Sequence, residues 1–298
     1  MPLSTCGVPQ STLGSHPQRP LPVQDTRPVL SVSLDMHNCL ERVFILGPAH
    51  HVDLRHCALS SCTDYETPLG TLPLDTEVIA SLESTGAFAR MDLQTDEDEH
   101  SIELQLPFIR YLLTDRWSPA AKIVPILVGA ITADQEMQYG QLLAPYLGDT
   151  RNRFIVSSDF CHWGQRFSYT YYAEAGRKGR RLSKEEGPLE SEPIYKSIER
   201  CDREGIEKIE QGSHRGFLEY LSRTRNTICG RVMLCALEKA KIHERFRFIA
   251  YTQSSRCRTV KDSSVSYAAG VVTEFRMPCD RAVLIKEIST DGCVDGQF

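Results

Sequence analysis

The chain has 298 residues, 41% hydrophobic and 24% charged, a composition that suits a globular protein with a substantial core. A net charge of -5 without a clustered basic face argues against a nucleic-acid partner, and the lack of any run near 18 apolar residues argues against a membrane span. Eleven cysteines without regular pairing suit thiols in the reducing cytoplasm, or the nucleus, better than a disulfide scaffold.

Residues 1–36 are rich in Pro, Ser, Thr and Gln. They carry too little apolar surface to offset their ordering entropy, so they are expected to form a disordered N-terminal segment. They also lack the basic start and apolar centre of a signal peptide. A folded domain is expected over 37–275, opening with RVFILGP (42–48), an apolar run closed by Gly-Pro that reads as a buried strand ending in a turn.

TDEDEHSIELQL (95–106) begins with acids that suit the positive end of a helix, and Thr95 with Asp98 fits a capping-box spacing. KIVPILVGA (122–130) and RFIVSSD (153–159) read as further strands, with Pro125 pointing to an edge or a bulge in the former. Residues 174–193 are charged and nearly free of large apolar side chains, as an exposed insertion would be. EPIYKSIERCDREGIEKIEQ places Ile194, Ile198, Cys201 and Ile206 at helical spacing, and GRVMLCALEKAKIHE (230–244) reads as another helix. FRFIAYTQSS (246–255) and SYAAGVVTEF (266–275) complete the strands, and 276–298 form a tail without clear period. Strands alternating with helices predict an α/β domain with a central mixed or mostly parallel sheet flanked by helices.

Polar chemistry gathers just after strands, where open α/β sheets bind ligands. GPAHH (47–51) offers His50 and His51. Strand alternation would turn them to opposite faces, one toward a pocket and one toward packing or solvent. In SSDFCHWG (157–164), Asp159 and His162 share a face if a helical turn follows the strand, so the carboxylate could orient the ring. Cys161 reads as a buried hydrophobe, and Trp163 as pocket wall or core. His100 and Glu103 stand three apart at a helix start, either as a pocket pair or as an ordinary charged turn. Cys229 in TICGR suits a thiol at a helix N-terminus or a packing cysteine. His56, His214 and His243 have no neighbouring partners in sequence and read as surface histidines.

VFILGPAHHV, LQTDEDEHSIE, VPILVGA, FIVSSDFCHWGQRF, NTICGR and TQSS with DSSVSYAAG follow one another in an order that resembles the Memo family, mediators of cell motility. The resemblance runs from about Arg42 to Phe275. It implies a single domain with the fold of class III extradiol dioxygenases and a pocket at the strand ends. By motif, His50 and Cys229 stand at metal-ligand positions for iron or copper. Asp159 and His162 stand in the same pocket, the latter like the dioxygenases' acid/base histidine. His51, His100, Glu103 and Trp163 would line the pocket or support the ligands. The family is linked to relaying receptor tyrosine kinase signals to the microtubule cytoskeleton and to binding phosphotyrosine peptides of receptors or adaptors. Catalysis does not follow from the resemblance. A metal-dependent redox protein or dioxygenase-like enzyme is the alternative, and a non-functional variant is a third reading.

One departure stands out. The family's earlier strand ends in Pro-His-Ala-Gly, whose histidine completes the metal site, and residues 1–41 hold no such motif. This predicts a sheet with one strand edge left open. It also predicts weakened metal binding at His50 and Cys229, since three or four protein ligands are usual for a retained ion.

Overall fold

The computed structural model describes residues 40–113, 118, 120–185, 192–228 and 246–272. Cys229, His243, the helix expected over 230–244, the N-terminal segment and the tail lie outside them. The elements run β1 (Arg42–Pro48), β2 (Cys57–Leu59), β3 (Asp64–Tyr65), β4 (Leu72–Pro73), α1 (Thr76–Ser84) and β5 (Phe88–Arg90). Next come α2 (Leu93–Asp98), α3 (His100–Glu103), α4 (Leu106–Leu112), β6 (Lys122–Val128), α5 (Ala133–Leu147) and β7 (Asn152–Val156). The chain continues with β8 (His162–Trp163), β9 (Tyr171–Tyr172), β10 (Arg180–Arg181), α6 (Ile194–Glu210), α7 (His214–Thr224), β11 (Phe246–Gln253) and β12 (Ser264–Val272).

The central sheet has strand order β5-β2-β6-β1-β7. β1 lies between β6 and β7, parallel to both, while β2 runs antiparallel to β6 and parallel to β5. The protein is thus an α/β domain with a mixed sheet flanked by helices. Strands covered on both faces read as continuous apolar runs rather than alternating ones. Val43 to Leu46 are all buried, and Phe44 stacks on Phe154 with ring centroids 4.5 Å apart.

An open edge was expected where a first strand is lacking. β1 does not carry it, being paired on both sides, and among the described residues the outer strands are β5 and β7. Pro125 departs from expectation too, since β6 is central. The β2 ladder reaches only from Val128 to Ile126, and Leu74 bridges Ile123 beyond it. Pro125 therefore falls in a gap between partners on that side, where a missing N–H leaves nothing unpaired.

β11 and β12 do not extend the central sheet. Residues 254–263 between them are too few for a parallel crossover, so the two strands pair antiparallel, and β12 pairs in turn with β8. The order β11-β12-β8 gives a second sheet that carries the SSDFCHWG segment. Backbone bonds from Phe160 N to Ser266 O and from Ser266 N to Cys161 O, both 2.9 Å, extend that pairing.

The helix expected from Thr95 begins earlier and is broken. Asp92 caps α2 by accepting from Thr95 N at 2.7 Å, and the chain becomes extended at Glu99 before α3 starts. α6 buries Ile194, Ile198, Cys201 and Ile206, the spacing seen in the sequence. Four helices were not anticipated: α1, α4, α5 and α7. The clearest of them, α5, opens with a full capping box between Thr132 and Gln135. Cys57, Cys161, Cys201 and Cys257 are free thiols, but Cys62 is disulfide-bonded, against the expectation of thiols throughout. Most described residues of 174–193 are exposed, although Leu182 is buried beside Trp163 in a second core cluster.

Candidate functional site

The parallel register sets Leu46 opposite Val156, and Ser157 N donates to Leu46 O. The segments that follow β1 and β7 therefore leave the sheet at the same end. His50 stands in the first and Asp159 in the second, close enough for the Asp159 charge to help raise the His50 ring's pKa. α3 closes this end from the side. A Cβ at Gly47 would run into Ser101 Oγ and Ile102 Cγ1, so only glycine lets α3 approach. The Ser101 hydroxyl then bonds Pro48 O at 2.9 Å.

This docking brings Glu99 and His100 against His50. Glu99 is buried, at 3% exposure. Its Oε1 accepts from His50 Nδ1 and from Ser101 N, both at 2.9 Å, and its Oε2 accepts from His50 N at 2.8 Å. Burial alone would raise this carboxyl. The His50 ring, the His50 N–H and the Ser101 N–H outweigh it and hold the pKa at about 2. The hydrogen bond to Glu99 in turn raises His50 against its own desolvation.

The two histidines of GPAHH do not turn apart. Beyond Pro48 the strand geometry ends, and both reach His100. Its ring stacks on His50 with centroids 4.6 Å apart, and its Nδ1 lies 3.3 Å from His51 Nε2. Glu103 is exposed and stands outside this cluster. The i, i+3 relation thus brings only His100 to the site, because α3 is a single turn starting at that residue.

On the facing segment, His162 Nε2 lies 3.5 Å from Asp159 Oδ2. Residues 157–161 are irregular rather than helical, so the pairing comes from the path of the loop and not from a helical turn. His162 Nδ1 lies 3.1 Å from Phe160 O. A carbonyl only accepts, so Nδ1 carries a proton; the Asp159 carboxylate also only accepts, so Nε2 bonds it only when that nitrogen is protonated as well. Trp163 faces the other way. It is fully buried and its Nε1 donates to Tyr171 O at 2.9 Å, so it is core and not pocket wall. Cys161 is buried in the same cluster.

His50, Glu99 and His100 offer one ligand atom each within 4.8 Å of one another. Two imidazoles and a carboxylate form a donor set that suits a divalent non-haem ion. The His50 Nδ1–H bond to Glu99 leaves Nε2 as that ring's free lone pair, the arrangement in which a carboxylate orients a metal-binding histidine. His50 and His100 rings lie within 17° of parallel, so their in-plane lone pairs run side by side, and one ion would take both only after one ring turns.

A family model described as Memo-like protein matches residues 30–271. The chain belongs to the Memo family. It is 49% identical over 238 residues to Protein MEMO1 of Danio rerio and 47% identical over 239 residues to Protein MEMO1 of Homo sapiens. Each match covers 78% of this chain and 75% of the relative. Protein memo-1 homolog of Caenorhabditis elegans is 44% identical over 244 residues, 79% of this chain and 65% of the relative. No helix among the described residues is long and apolar enough to cross a membrane.

Sequence reasoning gave Glu99 only the part of a helix-start acid. Its bonding partner lies 49 positions away, and its adjacency to His100 was the one local signal. The Glu99 carboxyl sits below its ordinary value of 4.5, so its contribution to stability is present above that value and lost as pH falls toward about 2. His50 is raised, so its share is present below its ordinary 6.5 and lost as pH rises through the raised value. Glu99→Gln is expected to flatten the acid limb of the stability profile and to remove about 1–2 kcal/mol near pH 6, after allowance for solvent screening. Thermal unfolding across pH checks this, and an acid limb identical to that of the unaltered chain would exclude the pair as its cause.

Proposed function

We propose that this chain acts as a Memo-like mediator of cell motility, relaying receptor tyrosine kinase signals to the microtubule cytoskeleton through phosphotyrosine peptides bound at the strand-end pocket. What supports this reading is family membership together with side chains gathered at one end of the sheet: Asp159 and His50 stand on segments that leave β7 and β1 there, His162 follows Asp159, and α3 brings His100 against His50. The raised His50 ring favours a cationic imidazole, which suits an anionic group. Iron or copper held by His50 and Cys229 would supply Lewis acidity and one-electron chemistry. In this reading the hold is weak, because the Pro-His-Ala-Gly ligand is lacking and Glu99 is occupied by His50 and Ser101.

Expressing the chain in cells depleted of their own Memo protein is expected to restore directed migration. A phosphotyrosine peptide is expected to bind even under metal chelation. Failure of both would overturn the reading. Metal content after exhaustive dialysis is expected to fall well below one ion per chain, and near-stoichiometric iron or copper would refute the weakened pocket. The convergence of His50, Glu99 and His100 favours one alternative, a metal-dependent redox enzyme. Dioxygen uptake or superoxide release with added iron or copper, lost in His50→Ala, would select it.

A further inference from the structure

Behind the pocket lies a carboxylate that neither its charge nor its helix explains. Asp202 sits in the middle of α6 at 0% exposure. Its Oδ1 accepts from Asn226 Nδ2 at 2.9 Å and its Oδ2 from the Tyr251 hydroxyl at 2.8 Å. The Ser266 hydroxyl and the Cys161 backbone N–H also bond it. A carboxylate buried without a cationic partner is costly unless each lone pair finds a donor. Here four donors surround it, drawn from four separate stretches of chain.

Two of those donors lead to His162. Cys161 is its neighbour in the chain, so the bond from Cys161 N–H pins the loop from behind. The second route runs through Asn226. Its Nδ2 bonds Asp202, which fixes the amide so that its oxygen accepts from Thr227 N at 2.8 Å. The Thr227 hydroxyl accepts from His162 N at 2.9 Å and lies 3.4 Å from His162 Nδ1. Turning the amide over would set an oxygen against the carboxylate, so Asp202 decides which way Asn226 faces.

We infer that Asp202 is a positioning residue for His162: held in the core, it locks Cys161 on one side and Asn226–Thr227 on the other, holding Nδ1–H on the Phe160 carbonyl and turning Nε2 toward Asp159. This rests on the reading of His162 as a pocket residue only for its use, not for its geometry. Burial raises the Asp202 carboxyl to about 6 against the opposing bonds of Ser266, Asn226, Tyr251 and Cys161, as expected for a group placed for its geometry at some expense of stability.

The test is the nitrogen NMR spectrum of histidine-labelled full-length protein well above neutral pH, where ring shifts report the tautomer. The His162 signals are assigned by their loss in His162→Gln. In the unaltered chain His162 is expected as the Nδ1–H form alone. Asp202→Asn and Thr227→Val are expected to give averaged shifts from both tautomers, while Thr227→Ser restores the single form. His214, bonded to Glu136 elsewhere in the fold, is expected to stay unchanged in all three and marks an intact structure. Unchanged His162 shifts in a folded Asp202→Asn would overturn the inference, as would an Nε2–H ring in the unaltered protein. If Asp202→Asn does not fold, the Thr227 pair decides alone: averaged shifts in the valine variant with recovery in the serine variant support the relay, and identical spectra refute it. None of these readouts requires a peptide or a metal, so failure of the motility reading would leave the result standing.

Discussion

Truncating Trp163 to alanine is expected to lower the unfolding free energy by about 3–5 kcal/mol, the range for removing a large aromatic side chain from a close-packed interior. The indole has 0% exposure and packs in the second core cluster with Tyr169, Tyr172, Leu182 and Ile194. Two losses add. The cavity left behind forfeits contacts that the surrounding rings cannot recover by collapse, and the Tyr171 carbonyl loses its indole donor. Denaturant unfolding with the slope held constant measures the change. A loss below about 1 kcal/mol would show that this cluster is not packed as described.

A comparable loss, about 3–5 kcal/mol, is expected for His214→Ala. His214 opens α7 and its Nε2 lies 2.8 Å from Oε2 of Glu136, which stands in the first turn of α5 at 0% exposure. Taking one partner from a buried ionisable pair removes a hydrogen bond and the two helices' polar link together. Glu136→Gln in the same background is expected to recover part of the loss, since a neutral amide is cheaper to bury than a carboxylate. A double-mutant cycle quantifies the pair, and a coupling energy near zero would show that the two side chains do not support one another.

His214 also shows what the sequence could not disclose. Reading it as a surface histidine followed from its having no partner within a helical turn, yet its partner lies 78 positions away. The same limit hid Glu99 and Asp202, whose roles come from groups brought together only by the completed fold. The strands of two or three residues, β2 and β5 of the central sheet among them, were not legible. The three long strands β1, β6 and β7 were, to within a few residues, because covered sheet interiors demand unbroken apolar runs, a local requirement, and β11 and β12 were legible too. Helix continuity was less so. An acidic stretch reads as one helix start, and only the pull of His50 and Ser101 on Glu99 explains why the chain breaks there. The motifs after β1 and β7 lie at one end of the sheet, and which side chain of each meets its neighbours there was decided by strand parity and loop path.

That parity has a consequence at β8. His162 and Trp163 are consecutive, the first partly exposed and the second sealed in the core, because neighbouring strand residues face opposite ways. A one-residue slip of β8 against β12 would exchange their surroundings, burying an imidazole and leaving an indole in water. That pairing register cannot shift by one residue: one frame along the backbone sets both what the protein exposes and what it keeps dry.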